Sequence, residues 1–413
     1  SRLKELIERL CPDGVPFVKL GDYINIYTGD QFNKRDMSTS GSYPVVNGGI
    51  NPSGFIESYN EPRDTISISQ GGASAGYVAW QDTPFWAGAH CYVIRPDSKL
   101  IINRFLYFFL KNKESYLQQM QHGAGIPALN RDKIKELKFP LVPIEVQEEI
   151  VRILDTFCAY AAELQAELQA ELQARKEQYE YYRNLLLTFN PSACGCGTDG
   201  EQEIKVTTCG GGNYKVVWKT MGEIGKFIRG KRFVRTDIVE HGIPCIHYGD
   251  MYTHYGLYAS ETPGYINEEI AKKMRFAEKN DVVIVAAGEN KEDLGNALAW
   301  LGDEPAAVHD ACFIFRSEMY PNYLSHVCRT RNYHRQVRMF ANEAKICSVS
   351  GADLSKVVIP LPPFELQVKI ASILDRFEAL VNDLTQGLPA EIAAVRERYE
   401  YYRNKLLTFK KRA

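Results

Sequence analysis

The chain has 413 residues, of which 45% are hydrophobic and 24% are charged, and its formal net charge is −2. These values are typical of a soluble globular protein of two or three domains. The apolar runs at 105–110 and 282–287 are far shorter than the ~18 residues of a membrane span, so we expect no membrane partner. With this net charge, a nucleic-acid binder must gather its basic residues on one face.

The first ten residues are amphipathic and do not resemble a signal peptide. The ten cysteines are scattered along the chain. We therefore expect reduced thiols and a cytoplasmic protein.

A first globular segment is predicted for residues 1–146, with mixed α/β (α+β) character. Short β-rich runs, including 65–69 and 89–94, lie between Gly, Pro and Asn turns. An amphipathic helix is predicted at 103–121. A strand-like run then leads through Pro140 and Pro143 into a long helix, and proline suits the start of a helix.

The long helix is predicted for residues 147–190. Its apolar positions alternate in steps of 4 and 3, which is a coiled-coil heptad pattern, with one extra step of 4 from Leu168 to Leu172. Residues 163–174 contain Glu-Leu-Gln-Ala three times. Each such unit adds roughly 6 Å of helix, so the repeat is either a run of good helix formers or a molecular ruler.

Residues 191–213 are rich in Gly, Ser, Thr and Cys and are predicted to be a linker. A literal Gly-x-Gly-x-x-Gly begins at Gly195, but no strand precedes it, so we do not interpret it as a cofactor loop. Cys194, Cys196 and Cys209 fit no zinc-binding spacing.

The second half repeats the first. Ile-Leu-Asp at 153–155 returns at 373–375, and Glu-Tyr-Tyr-Arg-Asn at 180–184 returns at 400–404, both with an offset of 220 residues. A second globular segment is predicted for 214–364, with β-rich runs at 281–285 and 311–315 and a helix at 320–340, followed by a second long helix at 365–413. Gly387-Leu388-Pro389 predicts a kink or break in that helix.

The chain is therefore predicted to be a tandem duplication with a pseudo-twofold axis, in which the two long helices pair antiparallel with one globular domain at each end. The apolar seam predicted to pair them is Leu154, Phe157, Leu164, Leu168, Leu172, Tyr179 and Tyr182 in the first helix, and Leu374, Phe377, Leu384, Leu388, Ile392, Tyr399 and Tyr402 in the second.

Basic clusters and Gly-rich turns at matching places in the two repeats are the candidate nucleic-acid contacts, by phosphate or base recognition. A solvated charged face and plain tight turns are the alternatives. The predicted residues are Gln31, Asn33, Lys34, Arg35, Gln70, Ser74 and His90 in the first repeat, and Lys226, Arg229, Lys231, Arg232, Arg235, His247, Tyr248, Asn290, Lys291, Arg329 and Arg331 in the second.

Catalytic motifs are missing from the sequence. There is no Gly-x4-Gly-Lys-Ser/Thr loop. The Pro-Pro-Phe at 362–364 is similar to the core of amino-methyltransferases, but Leu361 replaces the polar residue that would hold the amino group. His247, Asp250 and His254 could hold a metal, although polar loop groups for binding are the preferred interpretation. We predict no catalytic residue, metal or cofactor in this chain.

Taken together, the duplicated helices, the Glu-Leu-Gln-Ala repeats, the Pro-x-x-Pro segments and the stretches YPVVNGGINPSG and PFWAGAHCYVIRP resemble the specificity subunit of type I restriction–modification systems. The resemblance covers nearly all of the chain. The second helix departs from the first in its Gly387 break and in lacking the tetrapeptide repeats.

The resemblance implies that each globular domain is a target recognition domain for one half of a split site in double-stranded DNA. It implies that the helices space these domains and dock two modification subunits, which bind S-adenosylmethionine and methylate adenine. Restriction subunits, which use ATP and Mg²⁺, would join them. The alternatives are a stand-alone nuclease or methyltransferase fusion and a protein-interaction scaffold without a DNA role.

Overall fold

The structure is a computed structural model that describes residues 2–33, 35, 37–121, 127–189, 203–207, 213–342, 346–383 and 387–412. The chain divides into two compact units, the first comprising Ser1–Leu168 with Glu391–Ala413 and the second Gln169–Ala390. Each unit holds one globular domain and one part of each long helix. No helix among the described residues is long and apolar enough to cross a membrane.

The first unit is built from short strands and helices that end in the long helix predicted from the heptad pattern. Its helices are α1 (Arg2–Leu10), α2 (Asn103–Asn112), α3 (Glu114–Gln119), α4 (Arg131–Lys135) and the first part of α5 (Ile144–Thr188). Its strands are β1 (Phe17–Lys19), β2 (Ile24–Thr28), β3 (Tyr43–Val46), β4 (Gly54–Ile56), β5 (Thr65–Ser69), β6 (Val78–Gln81), β7 (Trp86–Ala87), β8 (Cys91–Pro96) and β9 (Lys138–Pro140).

The main sheet of the first unit is antiparallel, with strand order β2-β8-β5-β6. All five residues of β5 are buried, as a central strand requires. A second sheet has the order β4-β3-β7, and β1 pairs with β9. Helix α2 contributes the fully buried rings of Phe105 and Phe108 to the main core.

The single helix predicted at 103–121 is two helices, because Lys113 leaves helical geometry between them. The next residue, Glu114, accepts a hydrogen bond from the Val78 amide at 2.8 Å and one from the Lys111 ammonium at 2.6 Å. These contacts fix the new direction of the chain.

The second unit repeats this plan with additional elements. Its helices are α6 (Met221–Ile224), α7 (Asp250–Thr253), α8 (Glu268–Ala271), α9 (Pro321–Val327), α10 (Arg331–Phe340), α11 (Gly351–Leu354) and α12 (Phe364–Asn382), and α13 (Leu388–Leu406) begins at its end. Its strands are β10 (Glu203–Thr207), β11 (Asn213–Thr220), β12 (Gly225–Arg229), β13 (Ile238–Val239), β14 (Ile243–Ile246), β15 (Tyr258–Ala259), β16 (Tyr265–Ile266), β17 (Phe276–Ala277), β18 (Val282–Val285), β19 (Ala287–Gly288), β20 (Ala297–Trp300), β21 (Ala306–Val308), β22 (Cys312–Ser317), β23 (Cys347–Ser348) and β24 (Val358–Leu361).

The sheets of the second unit show the duplication directly. The order β12-β22-β18-β20 matches β2-β8-β5-β6 of the first unit, and β15 adds a parallel strand at one edge. A second sheet has the order β13-β16-β14-β21-β17, a third β10-β11-β24, and β19 pairs with β23. The mixed fold class and the internal repeat predicted from the sequence are thus confirmed.

The second long helix is interrupted, as Gly387 and Pro389 predicted. Helix α12 ends at Asn382 and α13 begins at Leu388. A Cβ on Gly387 would lie 2.5 Å from the carbonyl oxygen of Ala379, so only glycine fits this close approach.

Helix pairing inside each unit follows the predicted seam and is antiparallel. In the first unit, the Phe157 ring contacts Tyr402 with 5.8 Å between centroids, and the Cys158 thiol lies 3.0 Å from the Tyr399 hydroxyl. In the second unit, Tyr179 and Tyr182 stack on Phe377, at 6.3 and 5.7 Å.

Burial along the seam is uneven. Five of its residues are buried, namely Leu154, Leu172, Tyr179, Leu374 and Leu388; half-buried residues are Leu164, Leu168, Phe377, Ile392 and Tyr399; exposed residues are Phe157, Tyr182 and Tyr402. Leu384 lies outside the described residues.

One buried glutamine joins each domain to its helix. Gln147 accepts a hydrogen bond from the Ile102 amide and donates to the carbonyl oxygens of Leu100 and Val142, each at 2.8 Å. Gln367, 220 residues later, accepts from the Tyr320 amide at 2.9 Å and donates to the Pro362 carbonyl at 2.8 Å. The same clamp therefore sets how the domain meets the long helix in both units.

Candidate nucleic-acid interface

A glycine at the end of the first strand of each main sheet holds the loop that carries the predicted basic residues. A Cβ on Gly29 would lie 2.0 Å from the Ala87 carbonyl oxygen, and one on Gly230 would lie 2.2 Å from that of His309. These glycines are needed because two backbone segments touch there. The Asp30 amide then donates a hydrogen bond to the Ala87 carbonyl oxygen, and the Lys231 amide donates one to the Val308 carbonyl oxygen, both at 2.9 Å. The two loops are therefore anchored in the same way.

In the second unit, this loop presents basic side chains to solvent. Its Phe233 ring is buried and acts as the anchor. The predicted residues around it are all exposed, namely Lys226, Arg229, Lys231, Arg232 and Arg235.

Arg275 extends this basic surface, although sequence reasoning missed it. Its guanidinium donates to the Arg229 carbonyl at 2.7 Å, and Arg229 in turn donates from Nε to the Asp310 carbonyl at 3.1 Å. Exposed Lys272 and Lys273 precede it in the chain. The run from Lys272 to Arg275 was a signal in the sequence, but its distance from the 226–235 cluster concealed the connection.

Two histidines form an aromatic cluster beside the basic loop. The rings of His247 and His309 are 4.7 Å apart, and both contact Phe233 and Tyr248 at centroid distances from 4.7 to 5.8 Å. Tyr248 is partly exposed at the edge of the cluster. His309 was not predicted from the sequence, because it lies in a segment 62 residues from His247.

The histidines are uncharged hydrogen-bonding groups near neutral pH. Burial lowers the pKa of both imidazoles, against the opposing effect of the carboxylates of Asp250 and Asp310. Each Nδ1 accepts a hydrogen bond from a backbone amide: His247 from Gly249 at 3.2 Å, and His309 from Ala311 at 3.1 Å. The proton of each neutral ring therefore resides on Nε2, and the His309 ring also has a backbone hydrogen bond to Phe233.

The corresponding surface of the first unit is polar and less basic. Gln31, Asn33 and Arg35 are exposed, while Lys34 lies outside the described residues. The Trp86 indole holds the loop by donating to the Asp30 carbonyl at 3.3 Å and by an edge contact with Phe32.

The Gly-rich turn of the first unit is hydrogen-bonded to His90. The backbone carbonyl of the exposed His90 accepts a hydrogen bond from the Gln70 amide at 2.9 Å. The His90 amide donates a hydrogen bond to Asn47 Oδ1 at 3.1 Å. Gln70 and Ser74 are half-buried. The structure thus brings Asn47, Gln70 and His90 together from three separate segments.

The matching turn of the second unit begins with β19. Gly288 lies against the Tyr252 hydroxyl, which a Cβ would approach to 2.9 Å. Asn290 is exposed and Lys291 is half-buried.

The structure places Arg329 and Arg331 against α5. Arg331 donates to Glu180 at 2.7 and 3.0 Å, and its amide donates to Asn184. Arg329 is half-buried and donates to Asn296 at 3.2 Å. Arg331 therefore belongs to the contact between the domain and α5, whereas Arg329 is bonded within the domain and lines a cleft beside that helix.

No group of three or more His, Cys, Asp or Glu side chains in the described part of the chain is arranged to hold a metal ion. His247, Asp250 and His254 therefore do not form such a group. Gly195 and the cysteines at 194, 196 and 209 lie outside the described residues.

Two domains of one architecture, each with an anchored polar loop and each joined to paired helices, define a duplicated recognition protein. The family model of the type I restriction modification DNA specificity domain matches the chain twice, over residues 12–174 and 214–394. The chain therefore belongs to the type I restriction–modification specificity family, as a non-catalytic subunit with two target recognition domains.

Relatives of known description agree with this assignment. The chain is 29% identical to a putative type I restriction enzyme specificity subunit of Haemophilus influenzae, covering 91% of this chain and 90% of the relative. It is 30% identical to the EcoR124I/EcoR124II specificity subunit of Escherichia coli, covering 80% and 78%. A solved chain from a study of complex assembly and conformational transition of the type I restriction–modification system matches its fold with a TM-score of 0.57 at 17% identity, covering 95% of this chain and 97% of that one.

Proposed function

We propose that each recognition domain reads one half of a bipartite, asymmetric DNA site through its anchored loop and the groups beside it. The observation that carries this proposal is the pair of glycine-anchored loops with unlike side chains. Gln31, Asn33 and Arg35 occupy the first loop, whereas Lys231, Arg232 and Arg235 occupy the second. One scaffold with two different reading surfaces suits two different half-sites separated by an unread spacer.

The second domain is expected to contact phosphates more strongly than the first. Each lysine or arginine that neutralises a phosphate contributes about 0.9 to the slope of log affinity against log salt. Arg232→Ala should therefore weaken duplex binding and lower that slope by about one such contribution. Lys279→Ala is the matched control, because Lys279 is exposed in the same unit but already pairs with Asp303 at 2.6 Å. Equal salt slopes for the two variants would contradict the proposed interface.

The deciding experiment is the adenine methylation pattern of cellular DNA with and without this gene. We expect one split motif, consisting of two short half-sites with a fixed gap, to disappear on deletion. Replacing residues 1–146 alone should change one half-site and keep the other. A methylation pattern that does not depend on the gene would refute the proposal.

The helix surfaces are proposed to dock two modification subunits. Tyr181 and Tyr401, at matching places in the repeat, are 63% and 60% exposed. In the first unit, a 160 Å³ groove between α5 and α13 is lined by aromatic and aliphatic side chains, including Phe157, Tyr160 and Tyr402. Exposed apolar surface of this kind is typical of a protein interface.

This docking assignment makes a direct prediction for complex assembly. Tyr160→Ser should abolish copurification of the modification subunit without lowering the thermal stability of the chain, since Tyr160 is 65% exposed. Gln173→Ser, an exposed change on the same helix, should leave assembly intact. Unchanged assembly in the Tyr160 variant would remove this groove as the docking surface.

S-adenosylmethionine is proposed to bind in the modification subunits, and ATP with Mg²⁺ in the restriction subunits, all in the cytoplasm. The chain alone should then show no methyltransferase or nuclease activity.

The Glu-Leu-Gln-Ala repeat is proposed to set the spacer. One inserted unit lengthens the helix by roughly 6 Å, close to two base-pair steps of about 3.4 Å. The insertion should widen the methylated gap and preserve both half-sites.

A further inference from the structure

A cleft of 410 Å³ lies inside the second unit, on the side of the domain that meets α5. Its walls are Tyr179 and Arg183 of α5, the loop 252–257 after α7, Arg329 after α9, and Glu378 with Asn382 of α12. This volume falls in the range of small-molecule sites, about 300–1,000 Å³.

Both arginines of the cleft have unused hydrogen-bond donors. The Nε atoms of Arg183 and Arg329 are enclosed by protein and have no hydrogen-bond partner in the described structure. Arg183 lies over the Tyr179 ring at 5.1 Å, and Arg329 makes one bond, to Asn296. Neither guanidinium forms an ion pair within the described residues. Enclosed donors of this kind are rare in folded proteins, because each carries a desolvation cost.

The cleft has a positive charge balance. Glu378 is the one carboxylate among its lining residues, against two guanidinium groups. Burial, with the positive charge of Arg183 nearby, lowers the pKa of Arg329 despite the opposing effect of Glu378. Burial and the charges of Arg329, Arg338 and Arg183 also lower the pKa of neighbouring His334 to about 4.

The first unit satisfies the corresponding hydrogen-bond donors within its own fold. Lys111 is the counterpart of Arg329, because each lies nine residues after the amide that the clamp glutamine binds, Ile102 in the first unit and Tyr320 in the second. Lys111 donates to Glu114 at 2.6 Å and to the Val78 carbonyl at 3.0 Å. Arg403, the repeat of Arg183, donates to Asn112 at 3.3 Å. The unpaired donors are therefore a property of the second unit and not a requirement of the repeated architecture.

We propose that this cleft binds a small phosphorylated molecule, whose phosphate group is held by the guanidinium groups of Arg183 and Arg329, which line it. The planar fork of a guanidinium matches two phosphate oxygens. The hydroxyl of Thr253 and the imidazole of His254 line the same cleft and can bind the remaining polar atoms. The cleft is larger than a free phosphate needs, so the ligand is a phosphate ester with an organic part.

Isothermal titration of the full chain with adenosine 5′-monophosphate, inorganic phosphate and adenosine tests this proposal. The monophosphate should bind, phosphate should compete with it, and adenosine should bind at least about tenfold more weakly, since it lacks the charged acceptor. Failure of both anions to bind at concentrations up to about 5 mM would overturn the proposal. So would equal binding of adenosine, or displacement of the probe by a short DNA duplex, which would make the bound group a backbone phosphate.

Variants locate the binding site. Arg183→Met and Arg329→Met should each weaken monophosphate binding by about tenfold or more. Arg335→Met is the matched control, because Arg335 is exposed in the same unit and does not line the cleft. Glu378→Gln should strengthen binding, by about threefold or more, because it removes the repelling carboxylate. A misfolded variant cannot bind more tightly, so unchanged or weaker binding by Glu378→Gln overturns the assignment.

Discussion

Replacing the clamp glutamines tests how each recognition domain is held on its helix. Gln147 is fully buried and makes three hydrogen bonds, all to backbone groups, whereas Gln367 makes two. Methionine has a similar length and volume but cannot replace these bonds. At about 1 kcal/mol for each lost bond, plus the cost of backbone groups left unpaired in the interior, Gln147→Met should destabilise the first unit by about 3–5 kcal/mol.

The same reasoning gives a smaller value for the second unit. Gln367→Met should cost about 2–3 kcal/mol, because one hydrogen bond fewer is lost. Hydrogen-exchange mass spectrometry resolves the two units. The Ile102 amide should lose protection in the first variant and the Tyr320 amide in the second, by a factor of roughly 10² or more.

Gln173→Met is the control, because Gln173 is an exposed residue of the same helix α5. It should change stability by no more than about 0.5 kcal/mol. The reasoning is refuted if Gln147→Met costs less than about 1 kcal/mol, or if Gln367→Met proves the more damaging of the two.

Three further predictions concern the second unit. The pKa of His334 is lowered to about 4 by burial and by neighbouring arginines, so its unfolded form, with an ordinary pKa of about 6.5, binds more protons between these values. Lowering the pH from 7 to 5 should therefore destabilise the unit by about 2 kcal/mol through His334 alone, and thermal melts of His334→Gln should lack this contribution. Arg316→Met leaves the buried Asp281 carboxylate without its bidentate partner and should cost about 2 kcal/mol in urea unfolding, less than a fully buried pair because Arg316 is partly exposed. Gly230→Ala forces a Cβ against the His309 carbonyl, so we expect a loss of about 1–3 kcal/mol together with weaker duplex binding; unchanged DNA affinity would contradict the anchoring role of this glycine.

Local periodicity was sufficient to predict much of this fold. The heptad steps predicted α5, which runs from Ile144 to Thr188, and the proline and glycine near Leu388 predicted the break between α12 and α13. The repeat offset predicted the duplication that the matching strand orders confirm. These features follow from residues close together in the chain, because hydrophobic spacing and backbone restrictions act over a few turns.

The composition of the candidate site depended on contacts between distant segments. His309 contacts His247 because β14, which precedes His247, pairs with β21, which precedes His309. Arg275 reaches Arg229 because β17, which directly follows Arg275, pairs with the same strand β21. Arg331 belongs by sequence to a basic run, yet its guanidinium pairs with Glu180 of α5. Sequence alone established that polar and basic groups recur in both repeats, whereas the tertiary structure decided which of them share a surface, because strand pairing joins residues that chain distance separates.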